Sequence, residues 1–361
     1  MTQREKEILE WIKENPLISQ NDLAKKANIT RSSVAVHISN LIKKGKIVGK
    51  GYVLPKQNRI IVIGGSNIDI SAEAYFKIKE RDSNPGKIFT SFGGVGRNIA
   101  DNLSRLEQEV ELLTIVGDDF NGNEILKNCR SLGIGVNNSL IIPNSNTSTY
   151  ISILDENKDM KIAISAMDLY ENFTQNFIES KRELIEKSTL CIVDTNLPQE
   201  TLKYISENFD IPLFLDCVST TKALKVKDFI GNFHTIKPNK LESEILTNIK
   251  ITGIESLIES CNFFISKGVK NVYISLGEEG VFFSDGNTFK LLPPYPTEVV
   301  NTTGAGDAFM AGIAYGFIEN FDILNSCKLG IACSSIAISS EKTISDKLNL
   351  NKVNEIKEEL K

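Results

Sequence analysis

Apolar residues in the first 45 positions recur every three or four residues. Ile8, Leu9 and Ile12 share one side of the first stretch, and Val34, Ile38, Leu41 and Ile42 share one side of a later one. That spacing predicts amphipathic helices. Ser19 and Thr30 stand at the starts of the second and third helical stretches, where a hydroxyl accepts from a first-turn amide. IVGKGYVL (residues 47–54) holds two short β-prone pieces around Gly-Lys-Gly, a hairpin signal. Three helices and a hairpin within residues 1–55 predict a winged helix-turn-helix, followed by a short linker at residues 55–58.

From Arg59 onward the pattern changes. RIIVIGG (59–65) is an unbroken apolar run, as in a parallel strand buried on both faces. GRNIADNLSRLE (96–107) predicts a helix, ELLTIVG (111–117) a strand and NEILKNCRSLG (123–133) a helix. TLCIVD, PLFLD, HTIKP and NVYISLG repeat the strand signal, each followed by a helix candidate. The alternation predicts an α/β fold, a doubly wound and mainly parallel sheet with helices on both faces. Two stretches break the rhythm. Residues 71–92 are polar and carry SNPG, and residues 145–166 alternate like a two-stranded hairpin. Together they predict a small β lid over the ends of the main strands.

Charge divides the chain in the same place. The 361 residues carry a net −5, which argues against nucleic acid as a partner of the whole chain. Residues 1–55, however, hold ten Lys/Arg and five Asp/Glu, a net +5, leaving −10 on the remainder. The six cysteines sit mostly in apolar runs with no CxxC, as buried thiols of a reducing compartment do. Two histidines and no ligand-spaced cysteines argue against structural zinc. The N-terminus has no signal-peptide core, and no apolar run reaches the roughly 18 residues of a membrane span. The expectation is a cytoplasmic protein without a membrane partner.

The candidate chemistry begins at VVNTTGAGDAFMAG (299–312). Gly304, Ala305 and Gly306 lead into Asp307 at the mouth of an apolar helix. First-turn amides are unpaired and the helix end is positive, so small residues there let an anion approach the backbone. A carboxylate beside such a hole is unsuited to ligate an anion but suited to take a proton from a hydroxyl attacking a phosphoryl group. Taken alone, the run is equally a Gly-rich turn with a capping aspartate. No G-x-x-x-x-G-K-[ST] occurs, which excludes a P-loop kinase. SFGGVGRNIADNL (91–103) is a second glycine cluster opening a helix. IVIGGSNIDI places Asn67 and Asp69 just past the first strand, where open α/β sheets bind ligands.

GGVGRNIA (93–100) and NTTGAGDAF (301–309), in this order and at this separation, resemble the two signatures of the ribokinase-like, or PfkB, carbohydrate kinase family, over residues 59–345. Within that family, DSNPGKI (82–88), NTSTYISILDENKDM (146–160) and HTIKPNKLE (234–242) look most similar to pseudouridine kinases. The resemblance implies a ribokinase-like domain over 59–361 that transfers phosphate from ATP, with Mg²⁺, to the 5′-hydroxyl of pseudouridine, and a homodimer. It implies Asp307 as catalytic base and Gly304, Ala305 and Gly306 as the anion hole. Asn67, Asp69, Gly93, Gly94 and Asn98 correspond to the substrate contacts. Asn239 and Glu242 match an Asn-x-x-Glu motif that organises Mg²⁺ and phosphates, Glu242 acting indirectly. Ser275, Gly277 and Gly280 of SLGEEG and Thr303 fall beside the nucleotide. The DSNPGK loop would close over the base of the substrate. Asn301 departs from the pattern: many members carry an aspartate there that helps bind K⁺, so K⁺ dependence is open.

For the N-terminal segment, Arg31, Ser32 and Ser33 open the third helix, with Val36 and His37 further along, facing a DNA major groove. Lys43, Lys44, Lys46 and Lys50 are placed to reach phosphates. The alternative is a winged helix used for dimerisation or kept as a relic. For the whole chain the rival readings are a kinase for another nucleoside or pentose, and a sugar- or nucleoside-sensing transcription regulator. An intact GAGD favours catalysis over sensing.

Overall fold

The structure, a computed structural model, describes residues 1–47 and 59–360. The chain divides into two compact units, Met1–Gln57 and Asn58–Lys361. Most of the expected hairpin at 47–54, and the linker at 55–58, lie outside the described residues.

In the first unit the helices are Gln3–Glu14, Gln20–Ala27 and Arg31–Lys43. Each start is capped from its own sequence: Thr2 and Glu5 form a reciprocal capping box, Ser19 Oγ accepts from Asp22 N, and Thr30 Oγ1 from Ser33 N. Ile8, Leu9, Ile12, Leu23, Val34, Ile38, Leu41 and Ile47 make the core. Ile42, expected on the buried face, is 45% exposed, because Leu41 already faces inward and the next residue turns about 100° away. Lys44 Nζ donates to the buried Glu5 carboxylate at 2.7 Å, so its charge is already paired within the unit although the lysine side chain stays 43% exposed.

The second unit holds strands β1 (Arg59–Ile63), β2 (Asn67–Ala74), β3 (Gly86–Gly93), β4 (Glu109–Leu113), β5 (Ile115–Gly117), β6 (Leu140–Ile142), β7 (Thr149–Leu154), β8 (Met160–Ala166), β9 (Leu190–Asp194), β10 (Leu213–Asp216), β11 (Thr235–Lys237), β12 (Asn271–Ser275), β13 (Val281–Ser284) and β14 (Phe289–Leu292). Eight form one sheet in the order β14-β13-β12-β11-β10-β9-β1-β4, parallel from β4 through β12. The unbroken apolar runs follow from burial on both sides. Ile60 and Val62 enter one core with the helices Val95–Arg105, Ala305–Ile318 and Ile323–Ile338, while Ile61 and Ile63 enter the other with Gln199–Asn208 and Ile254–Lys267. From β1 the chain proceeds to β4 on one side and to β9 on the other. The switch point therefore opens at the C-terminal ends of β1 and β9, where α/β sheets take their ligands.

Two local expectations need correction. ELLTIVG is not one strand: after Leu113 the chain leaves the main sheet, and β5 pairs in parallel with β6. NVYISLG is not followed by a helix. Gly277 and Gly280, both at positive φ, turn the chain into β13 and β14, which extend the sheet antiparallel. The Asp285-Gly286 step between two apolar runs is the hairpin signal that marks this.

Residues 71–92 and 145–166 contribute to a second sheet, ordered β3-β2-β7-β8. Its register puts Asp69, Ser71, Phe89, Ser91, Tyr150 and Ser152 on one face, and Ile70, Ala72, Ile88, Ile151, Ile153, Ile162 and Ile164 on the other. Ile88, Ile162 and Ile164 are more than half exposed. No helix among the described residues is long and apolar enough to cross a membrane.

Candidate active site

The site is built at the switch point, from loops that the strand ends deliver. After β1 the chain runs through Gly64, Gly65 and Ser66 into β2. Asp194, the last residue of β9, accepts hydrogen bonds from Gly65 N and Gly96 N, both at 2.9 Å. One buried carboxylate thus ties the loop after β1 to the start of the Val95–Arg105 helix. In the sequence, the one local sign of this role is a lone acid ending the apolar run TLCIVD.

The second glycine cluster meets the first directly. Gly304 caps the Ala305–Ile318 helix at φ +83°, a backbone conformation that glycine adopts freely, and it offers no side-chain cap. Asp307 lies in the first turn and caps nothing. Its Oδ2 accepts from Asn98 Nδ2 at 2.8 Å, a contact between residues 209 positions apart. Arg97 Nη2 donates to Asn98 Oδ1 at 3.2 Å, which fixes the amide so that its nitrogen faces Asp307. Arg97 is held in turn by buried Asp101. Burial pushes the Asp307 carboxyl up to about 7, reinforced by Asp216 and opposed by Asn98 and Lys237.

Asn67 and Asp69, just past β1, lie on β2. Asn67 Nδ2 donates to Asp69 Oδ1 at 2.6 Å. The carboxylate packs against the backbone of Gly93, where a Cβ would lie 2.2 Å from Oδ2. Desolvation raises its pKa against the Asn67 hydrogen bond. Gly94 precedes the Val95–Arg105 helix as its N-cap, so Asn67, Asp69, Gly93, Gly94 and Asn98 converge around one loop.

On the other side of Asp307, Asn239 caps the Lys240–Thr247 helix, and Asn239 with Glu242 forms a reciprocal capping box at 2.8 and 2.9 Å. Glu242 is buried rather than solvated, and that burial raises its pKa. Ser275 N donates to Pro238 O at 3.0 Å, bringing the turn through Gly277 and Gly280 beside Asn239. Asn301 Oδ1 accepts from Thr303 N at 2.9 Å, and its Nδ2 donates to Glu341 O at 3.1 Å. Among the described residues no cluster of three His, Cys, Asp or Glu side chains forms a metal cage.

In the first unit Arg31, Ser32 and Val36 are exposed. Ser33 and His37 are only half-exposed. Ser33 Oγ is 2.9 Å from Thr30 Oγ1, and His37 Nδ1 is buried with no hydrogen-bond partner among the described residues. The expected DNA-facing row is thus freely presented at three of its five positions.

Comparison with known proteins identifies the larger unit: residues 57–349 match the model of the pfkB family of carbohydrate kinases. The chain belongs to the PfkB family. Residues 1–48 match a winged helix-turn-helix DNA-binding family. An uncharacterised sugar kinase of Escherichia coli (strain K12), YeiI, is 38% identical over 94% of this chain and 94% of its own length. Pseudouridine kinase of the same organism is 36% identical, over 82% of this chain and 96% of its own. Among solved structures, a putative sugar kinase from Clostridium perfringens superposes with a TM-score of 0.78 at 36% identity, over 85% of this chain and 98% of that one. This PfkB protein is therefore a phosphotransferase with an alcohol acceptor, of the sugar and nucleoside kinase class, bearing an N-terminal winged helix-turn-helix.

Proposed function

We propose that this PfkB kinase phosphorylates pseudouridine at its 5′-hydroxyl with ATP. The observation that carries the reading is the 2.8 Å contact between Asn98 and Asp307, which unites the two glycine clusters in one site. Asp307 takes the proton of the 5′-hydroxyl as its oxygen attacks the γ-phosphorus. Amides around Gly304, Ala305 and Gly306 receive the equatorial oxygens. Asp69, oriented by Asn67, accepts from paired ribose hydroxyls beside Gly93, Gly94 and Asn98, since one carboxylate accepts several donors. Asn239, Ser275, Gly277, Gly280 and Thr303 border the nucleotide. Mg²⁺ neutralises phosphate charge and keeps most of its waters, so it needs one or two carboxylates rather than a cage; buried Glu242 fits that indirect role. The second sheet, with the DSNPGK loop, closes over the base and excludes water. The choice of pseudouridine rests on the 36% identical relative of that name and its sequence stretches. The test is product analysis: equimolar ADP and nucleoside monophosphate, with phosphorus coupled to the C5′ protons. Phosphate elsewhere on the ribose, or none, contradicts the reading.

Asn301 gives the loop before the anion hole no charge, and both ends of its amide are engaged, by Thr303 N in that loop and by Glu341 O beyond the Ile323–Ile338 helix. Turnover in K⁺ and in tetramethylammonium should therefore differ little. Strong activation by K⁺ would show that neutral oxygens suffice to bind it.

We further assign residues 1–55 to DNA and 59–361 to catalysis, in a cytoplasmic homodimer. The half-exposed isoleucines of the second sheet favour a second copy as their cover. Two winged helices in one dimer imply paired half-sites, and the +5 charge implies steep salt dependence. Titration of DNA upstream of the protein's own coding region, at two salt concentrations, tests this. Binding no tighter than to random DNA rejects it.

A further inference from the structure

Three adjacent strands of the main sheet end in charge. The parallel register aligns Asp194 of β9 with Asp216 of β10, and Asp216 with Lys237 of β11. Paired residues in a sheet share a face, so all three point toward the helices Val95–Arg105 and Ala305–Ile318. Asp194 is accounted for by three backbone amides, Gly65 N and Gly96 N on Oδ2 and Asn196 N on Oδ1. Asp216 and Lys237 are not used by the mechanism above, yet both are buried and joined at 3.1 Å between Oδ2 and Nζ.

The Lys237 ammonium reaches the anion hole. A Cβ on Gly306 would lie 3.0 Å from Nζ, so the charge sits against the first turn of the catalytic helix, where a side chain on Gly306 would crowd it. Asp216 meets the ammonium as an ion pair, and its Oδ2 has no hydrogen-bond partner among the described residues. Burial disfavours its charged form, but Asp216, Glu242 and Asp307 together raise its pKa above the ordinary lysine value. A permanently charged lysine thus stands on the floor of a hole whose other nearby ionisable groups are carboxylates. Without it, an incoming phosphoryl group would meet the Asp307, Glu242 and Asp216 carboxylates with no protein cation at the anion hole and only backbone dipoles and the Mg²⁺ proposed above in its favour.

We propose that Lys237 is a catalytic residue that binds the γ-phosphoryl group of ATP during transfer, and that Asp216 is a positioning residue that holds the ammonium beneath Gly306. The inference rests on the placement of the phosphoryl group at Gly304–Gly306 made above. In the transfer step the acceptor oxygen forms a bond to the γ-phosphorus as its proton passes to Asp307. The bond from γ-phosphorus to the β,γ-bridging oxygen breaks, and ADP leaves with the electron pair. Lys237 exchanges no proton; its N–H groups follow the phosphoryl oxygens from ATP to product.

Lys237→Met alone would leave Asp216 buried without its cation, which destabilises by itself. The informative variant is therefore Lys237→Met/Asp216→Asn, which removes both charges and keeps an acceptor for Val218 N, bound by Asp216 Oδ1 at 2.9 Å. The full-length double variant is compared with the parent by thermal melting, by turnover and by titration with ADP and the β,γ-imido analogue of ATP. The expected result is a folded protein whose ADP affinity is kept, whose affinity for the imido analogue falls about tenfold or more, and whose kcat falls about 10²-fold. If Lys237 serves only to neutralise Asp216, removing both restores the parent's behaviour. An analogue affinity within about threefold of the parent overturns the proposal, whatever the turnover. The nucleotide titration needs no acceptor, so it decides Lys237 even if pseudouridine proves to be the wrong substrate.

Discussion

Asp307→Asn is expected to lower kcat by about 10²–10⁴-fold while the nucleoside still binds, the range that a positioned general base contributes. The substitution preserves shape, and an amide oxygen still accepts from Asn98 Nδ2, so the junction between the two glycine clusters survives. What it loses is proton affinity. The wild-type carboxyl, raised by burial and by Asp216, must be deprotonated to act. Activity should therefore be present above its pKa and fall as pH drops through about 7, well above the ordinary carboxylate range. The residual activity of the asparagine variant should lack that acid limb. Steady-state kinetics across pH, with nucleoside binding followed by calorimetry, check both parts. A variant with near-native kcat would remove Asp307 from the role of base.

The second large effect belongs to Asp69. Asp69→Ala removes a partly buried carboxylate that Asn67 orients at 2.6 Å and that packs on Gly93. A hydrogen bond to a charged group is worth about 1.5–3 kcal/mol, so the nucleoside KM should rise roughly tenfold or more. The KM for ATP should stay near its parent value, because Asp69 lies on β2 while the nucleotide-bordering residues lie at the ends of β11 and β12 and just before the Ala305–Ile318 helix. The two KM values, measured with each substrate varied in turn, separate the cases. A raised KM for ATP with an unchanged KM for the nucleoside would move Asp69 out of the sugar site.

Much of the scaffold was legible because burial writes directly into sequence. β1, β9 and β10 are covered on both faces and appear as unbroken apolar runs, and Ser19 and Thr30 cap the helices they precede. Asn67 and Asp69 are legible just past the first strand, but the polar β2 strand that carries them is not. The β13–β14 hairpin is marked only by the Asp285-Gly286 step, while the alternation of apolar runs with helices points to a helix after β12. In the site, glycine clusters and Asp307 stood out as local motifs. Asp194, Asp216 and Lys237 did not, since each looks like the ordinary end of a strand. Only strand register, a long-range property, aligns them into one row. The same limit affects the N-terminal unit: Glu5 and Lys44 are 39 positions apart, and nothing local reveals that one neutralises the other.

The most direct test of the account is turnover by the purified full-length protein, with ATP and Mg²⁺, against pseudouridine, uridine, inosine, adenosine and ribose. The account predicts the highest kcat/KM for pseudouridine, with weaker use of the other nucleosides and of ribose. Preference for ribose or for a purine nucleoside would reassign the acceptor within the PfkB family. Failure to form ADP with any of the five would contradict the proposed kinase activity toward nucleosides.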